Sequence, residues 1–355
     1  MIWLTWRQFR GSATMMAAVL VVITAALALT GPKLASDYAA GIAACTPDNT
    51  CLDFFDRFFG EYDTLFLALT MVVLILPALA GLFWGAPLIT RELEAGTHLL
   101  VWNQSISRGR WLAVKLGLMG LSAMAAACLC GLVVTWWSAP LDKSAVPEMA
   151  QMAPVVFGAR GIAPMGYAAF AFVLGVTVGM LVRRTLPAMA LTLAAFVAIQ
   201  IAMPLLVRPH LMPPVAGTFE LGRENVDGFG APKGGSLQVF LRTSAVPGHA
   251  GAWVLSSELV DKTGRVISSG DGGPGPSTTV ARGVPVSTTT GPCSPQGAMA
   301  GGCTAEINRL GYRQRATYQP LERFWPFQWI ETGIYALLTL GLTGFCFRWI
   351  RRRVS

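Results

Sequence analysis

Three histidines, nineteen carboxylates and seven cysteines are the groups in this chain that could transfer a proton, bind a metal or attack a carbonyl. The histidines, His98, His210 and His249, are too scattered to build a catalytic base or a metal cage. There is no GxxxxGK(S/T) loop to cradle a nucleotide, no HExxH, no GxSxG elbow and no CxxC pair. The chain is therefore expected not to be an enzyme, and no cofactor or metal is expected in it. The densest polar chemistry lies in one stretch, RELEAGTHLLVWNQSISRGRW, from Arg91 to Trp111. Its acids, bases and amides can form ion pairs and hydrogen bonds with another surface, but they contain no nucleophile held beside a base.

That stretch interrupts two long apolar runs, so the elements around it must be considered first. The chain has 355 residues, 53% of them hydrophobic and only 13% charged, against roughly 25% charged in a soluble protein. A single soluble core does not use so much apolar surface, which makes the bilayer the expected solvent. A membrane helix needs about 20 apolar residues. Six runs qualify: Ala13–Thr30, Thr64–Leu88, Leu116–Trp136, Ala163–Val182, Leu186–Val207 and Trp329–Phe347. The expected class is an all-α integral membrane protein with six transmembrane helices.

Orientation follows from the basic residues, because cytoplasmic loops retain Lys and Arg. With the N-terminus inside, Arg7, Arg10, Arg91, Arg108, Arg110, Lys115, Arg183, Arg184, Arg348, Arg351, Arg352 and Arg353 all lie inside, against two acids, Glu92 and Glu94. The first external loop is instead acidic, with Asp37, Asp48, Asp53, Asp56, Glu61 and Asp63 against Lys33 and Arg57. N-in, C-in is the expected topology, so the net charge of +8 marks orientation and no nucleic-acid partner is expected. Tryptophans fit two interfacial belts, Trp136, Trp137, Trp325 and Trp329 outside and Trp84, Trp111 and Trp349 inside. MIWLTWRQFRGS reads as a short helix lying in the cytoplasmic interface, the other reading being the inner end of the first span.

Four cysteines fall outside the membrane, where thiols oxidise. Two local disulfides are expected, Cys45–Cys51 and Cys293–Cys303, with cross-pairing between the two loops left open. Residues 1–207 hold the surface helix and spans one to five, with the polar segment at 90–111, and residues 324–355 hold the sixth span and a basic tail. Residues 208–323 are long enough for a small extracytoplasmic domain, expected to be β-rich. SLQVFLRTSAV alternates as a strand does, and Trp253–Val260 with Arg265–Ser269 could form a hairpin about DKTG. That domain could be a lid, a docking surface or a decoration. Within the spans, Gln200, Gln328 and Glu331 are the candidates for a translocation path. Glu331 could equally snorkel to the outer interface, and Gln200 could equally bond a neighbouring helix.

On the polar segment, Arg91 to Asn103 has good helix formers broken at Gly96, and Ser105 or Ser107 can cap the next helix. The order Arg-Glu-x-Glu-x-Gly-Thr (Arg91, Glu92, Glu94, Gly96, Thr97), the pair Leu99 and Leu100, then Ser107-Arg108 and Lys115, resembles the loop after the second span of ABC-type export permeases. In that family this loop forms the coupling helix. The likeness extends to the N-terminal helix, the six spans and a large segment between the fifth and sixth. Relatives often carry Thr-Pro where Gln104 and Ser105 stand here.

The resemblance implies a transmembrane subunit of an ATP-driven exporter. A second permease copy would pair with it about a two-fold axis, and separate ATPase subunits would hold the ATP and its Mg2+ and grip the coupling segment. Arg91, Glu92 and Glu94 would then supply charged contacts and Gly96 a close approach or bend, with Thr97, Leu99, Leu100 and Arg108 in the same coupling segment. Such a chain would sit in the cell membrane, on composition that of a bacterium, and move an amphipathic drug, antibiotic or lipid-like molecule outward by alternating access. The competing readings are a non-transporting receptor or sensor whose external domain binds a ligand, and a membrane-embedded enzyme.

Overall fold

A computed structural model describes residues 2–45, 51–94, 107–144, 146–230, 236–267, 269–271, 278–294 and 302–353. Its contacts divide the chain into two compact units, one of residues 1–144, 155–211 and 325–355, the other of residues 145–154 and 212–324. The first unit is helical. In order it contains α1 (Ile2–Ala43), α2 (Leu52–Leu79), a wide π turn at Ala80–Gly85, α3 (Pro87–Glu94), α4 (Arg108–Ser144), the short α5 (Pro154–Gly158), α6 (Ala163–Val182), α7 (Thr185–Ala202) and α9 (Phe324–Arg353). Six stretches are long and apolar enough to cross a membrane, and the protein is a multi-pass membrane protein.

The helices outrun the apolar runs that announce them. α1 is 42 residues long, about 63 Å at 1.5 Å per residue, against a hydrocarbon core of about 30 Å. Hydropathy reports the part a lipid must cover, whereas the backbone ladder continues through polar flanks. The expected separate N-terminal surface helix is not found: α1 runs unbroken from Ile2 through the first span. Between Arg7 and Ala13 there is no proline to remove a ladder bond, and Thr14 returns its hydroxyl to the Gly11 carbonyl at 3.0 Å as a helical residue does. Trp84, Trp111 and Trp137 are buried among helices, while Trp136, Trp325 and Trp329 are exposed.

The centre of the bundle is α6, with sixteen of its twenty residues buried. It packs against the π turn backbone to backbone, through Gly81 and Gly85 on one side and Gly175 and Gly179 on the other. A Cβ on Gly81 would lie 2.6 Å from the Ala171 carbonyl oxygen, and one on Gly179 would lie 2.7 Å from that of Ala86. Both pairs are spaced as GxxxG, which places small residues one turn apart on a single face and lets helix axes approach. The wide turn begins shortly after Pro77, which removes one ladder donor, and the second π turn, Met203–Val207, contains Pro204.

The second unit holds two antiparallel sheets. Its strands are β1 (Val215–Phe219), β2 (Val226–Gly230), β3 (Leu237–Arg242), β4 (Trp253–Val260), β5 (Ser269–Asp271), β6 (Thr278–Val284) and β7 (Arg313–Gln319), with α8 (Gly302–Arg309) between the last two. The sheet orders are β1-β7-β4 and β2-β3-β6-β5. β3 alternates strictly, burying Leu237, Val239 and Leu241. The expected hairpin at DKTG is only begun. Val260 bridges Val266 and Ile267 donates to Leu259, but β5 then pairs with β6 in the other sheet. Cys293 is bonded to Cys303 at the start of α8 within this unit's core, and Cys45 is bonded to Cys51 in the first unit. Residues 145–154, which the hydropathy pattern did not attach to this domain, join it through Met152, whose amide donates to the Gly251 carbonyl at 3.1 Å.

Two predictions follow from this packing. Gly175→Ala places a Cβ 2.8 Å from the Ala86 amide nitrogen and should cost about 1–3 kcal/mol. Gly117→Ala on α4 meets nothing within 4 Å and should be neutral or slightly stabilising by helix propensity. Thermal unfolding of the two variants in one detergent checks the difference, and equal melting points would refute close packing at Gly175. Cys303→Ala should destabilise the second unit by about 2–4 kcal/mol, read as faster proteolysis within residues 212–324 while the helical unit stays intact.

Candidate functional site

Two sets of polar side chains stand out, at opposite ends of the bundle. At the first end α3 is tied to two spans. Glu92 forms an ion pair with Lys115 of α4, and the Lys115 ammonium lies 4.6 Å over the Trp111 ring. Glu94 reaches α7: its carboxylate accepts from the Thr185 amide at 2.8 Å and from the Thr185 hydroxyl at 2.7 Å. These bonds, the Thr185 hydroxyl foremost, hold the Glu94 carboxyl below its ordinary range, with Arg184 adding to the effect. The turn into α7 is abrupt, with Arg183 left-handed at φ 59° and Arg184 extended. Ser107 is the serine at the head of α4, its oxygen accepting from the Arg110 amide at 3.4 Å.

At the other end the polar groups are buried and joined. Arg208 grips Glu331 through two bonds, Nε to Oε2 at 2.8 Å and Nη2 to Oε1 at 3.0 Å. Tyr167 donates to the same carboxylate at 2.5 Å. The Arg208 guanidinium lies 4.2 Å over the Phe157 ring. Gln328 serves the chain break before α6. Its Oε1 accepts from the Ile162 and Ala163 amides at 3.1 and 2.8 Å, and its Nε2 donates to the Phe157 carbonyl at 3.1 Å. The free amides at the start of α6 are thereby capped from α9. Tyr335 donates to Gln200 at 2.5 Å. A second buried pair, Arg160 with Asp142 at 3.4 Å, is joined by Ser138 and Thr70.

Gln200, Gln328 and Glu331, the candidates for a path, are thus each engaged with a neighbouring helix. Glu331 is 1% exposed, so snorkelling to a surface does not describe it. Glu92 and Glu94 bond to the chain's own spans, and Arg91 is exposed. Gly96, Thr97, Leu99 and Leu100 lie outside the described residues, as does the Arg108 side chain. Arg208, Arg160, Asp142, Tyr167 and Tyr335 were not singled out from sequence. The available signal was the presence of opposite charges at matching depth, Arg208 ending the fifth span and Glu331 opening the sixth. Between α1 and α2 runs an apolar groove of about 470 Å³, lined by Met15, Val19 and Ile23 on one side and Ile75, Leu79 and Phe83 on the other. Among the described residues no group of three or more His, Cys, Asp and Glu is placed to hold a metal.

A buried pair is costly to break from one side, because the remaining charge is left without water or partner. Arg208→Met should therefore cost about 3–5 kcal/mol, and Arg208→Met/Glu331→Leu should recover most of that loss. A double-mutant cycle on thermal unfolding measures the difference, and additive losses would show that the two charges are not coupled.

The family model described as ABC-2 membrane transporter related matches residues 17–208. That range runs from within α1 to the end of α7 and takes in the α3 arm and the Arg160–Asp142 pair. No curated protein and no solved structure gives a match to this chain. With more than half of its residues matched, including five of the six candidate spans, the chain belongs to the ABC-2 membrane transporter related family.

Proposed function

We propose that this chain is the permease subunit of an ATP-driven exporter, with hydrolysis carried out by a separate ATPase that grips residues 90–111. The carrying observation is the family match, which includes the segment between the second and third spans. Membrane components of this family work with ATPase subunits in general, and this sequence contains no phosphate-binding loop of its own. The basic clusters favour placing both termini and the α3 arm in the cytoplasm, where such a partner resides. Arg91, exposed on α3, together with Gly96, Thr97, Leu99, Leu100 and Arg108, would meet the ATPase. Glu92 and Glu94 would carry its movement inward. Two copies would pair, with the path between them alternating its access. The apolar groove beside α1 supports an amphipathic or lipid-like cargo.

The test is co-purification of this chain with soluble phosphate-loop ATPases of its source cell. Arg91→Glu should weaken the complex about ten-fold, the equivalent of about 1.4 kcal/mol, without altering membrane insertion. A cysteine placed at Arg184 should react with a membrane-impermeant maleimide only when the cytoplasmic face is open to it. Labelling of that cysteine from outside intact cells, or a chain that never recruits an ATPase, would overturn the assignment.

A further inference from the structure

The bonds at the head of α7 form a closed set. Ionised Glu94 can only accept, so the Thr185 hydroxyl must donate to it. The Thr185 oxygen is then free to accept, and Thr90 lies 2.8 Å away with its own hydroxyl. Thr90 is fully buried on α3, and its single proton lies between two acceptors, the Thr185 oxygen and the Ala86 carbonyl at 3.1 Å. Two of the three side chains are β-branched and hold few rotamers, so the link is short and stiff. The tie from Glu92 to α4, by contrast, ends on a lysine with a flexible stem.

What the clasp holds is the least embedded of the spans that reach α3. In α7 only Ala188, Thr192 and Phe196 are buried, whereas α6 buries most of its length. Beyond the far end of α7, Arg208 is fixed to Glu331 and the ring of Phe157. α7 packs along one face only, through Ala188, Thr192 and Phe196, so a push at its first turn can pivot it about its fixed far end.

We propose that Thr90, Glu94 and Thr185 are positioning residues that make α3 and the first turn of α7 one mechanical piece, so that α7 is a lever turned by α3 about the Arg208–Glu331 pair. The lever rests on the reading of residues 90–111 as the coupling segment. The clasp itself does not. It replaces the missing cap of α7 with a carboxylate from another helix, where the free amides and the helix dipole favour a negative charge.

Two measurements test it. In the first, the chain alone is placed in nanodiscs of phosphatidylethanolamine and phosphatidylglycerol, and hydrogen exchange is followed over residues 184–190. Glu94→Ala and Thr185→Val should each raise exchange there about ten-fold through local opening, and Thr185→Ser should restore protection. Unchanged exchange in both variants overturns the clasp.

In the second, spin labels are placed at Leu186→Cys and Leu121→Cys, both exposed positions, with Cys128, Cys130 and Cys346 replaced by Ala, in the complex with the ATPase that co-purifies with the chain. Adding ATP and vanadate should shift the label distance in this background. The shift should vanish in Glu94→Ala and Thr185→Val, and return in Thr185→Ser, while the ATPase stays bound. A shift that survives both disruptive variants overturns the lever. If no ATPase binds even the unaltered chain, the exporter reading falls, and the exchange measurement alone decides the clasp.

Discussion

A polar group removed from water inside a membrane protein has to find its partner within the protein. The break before α6 shows what this demands. Between Gly158 and Ala163 the chain leaves helical geometry while buried on nearly every side. Its amides and carbonyls cannot turn to solvent, so side chains supply the missing bonds. Thr135 accepts from the Gly161 amide at 2.8 Å, and Gln328 takes the Ile162 and Ala163 amides and the Phe157 carbonyl. The irregular backbone is tolerable only because α4 and α9 bring these groups to it. The buried charges obey the same constraint, since Arg208, Glu331, Arg160 and Asp142 are all paired.

The two kinds of packing in the bundle have different mechanical consequences. Where α6 meets the π turn, contact is between backbones, through glycines, and neither element can slide without collision. Where α7 meets α6, contact is between side chains, with Ala188 clustered with Val178 and Phe196 with Phe170, and the polar ties at the ends of α7 run to α3 and α9. A bundle of this kind moves at its polar ties and stays fixed at its glycine faces. Hydrogen bonds are directional and can be exchanged one for another, whereas interlocked backbone surfaces have no second arrangement of similar energy.

Much of the helical unit was legible in the sequence because its signal is compositional. α6 matches its apolar run residue for residue, and the other spans were found with their ends cut short. The two disulfides were legible because each pair is local. The buried charge pairs were not, because each joins residues far apart in sequence and each arginine, read alone, resembles a loop residue at a span's end. Glu331 was conspicuous as a carboxylate in an apolar run, and Arg208 at the matching depth of the fifth span was the one sequence sign of its partner. Glu92 and Glu94 show the opposite difficulty. Their spacing was informative about the segment, yet the atoms they bond to belong to α4 and α7. In the second unit the alternation of β3 was readable, whereas the departure of the chain after Val266 into the other sheet depends on pairing with β6, which no local pattern encodes.

α1 presents the same physics from the outside. Only 6% of its most apolar window is buried, which in water would mark an unstable helix. In hydrocarbon it costs nothing, because lipid tails cover Leu29 or Val22 as well as another leucine would. The contacts that locate α1 are therefore the few that are shape-specific or polar. Trp137 donates its indole N–H to Thr30 at 3.0 Å, and a Cβ on Gly31 would meet the Trp136 ring at 2.8 Å. Both lie toward one end of the span, so the helix is held there and stands apart from α2 at Met15 and Val19, where the groove opens. At the same end the Cys45–Cys51 disulfide and the Tyr38 ring beside Phe54 and Phe58 bind α1 to α2, and the groove opens farther along, at Met15, Val19 and Ile23.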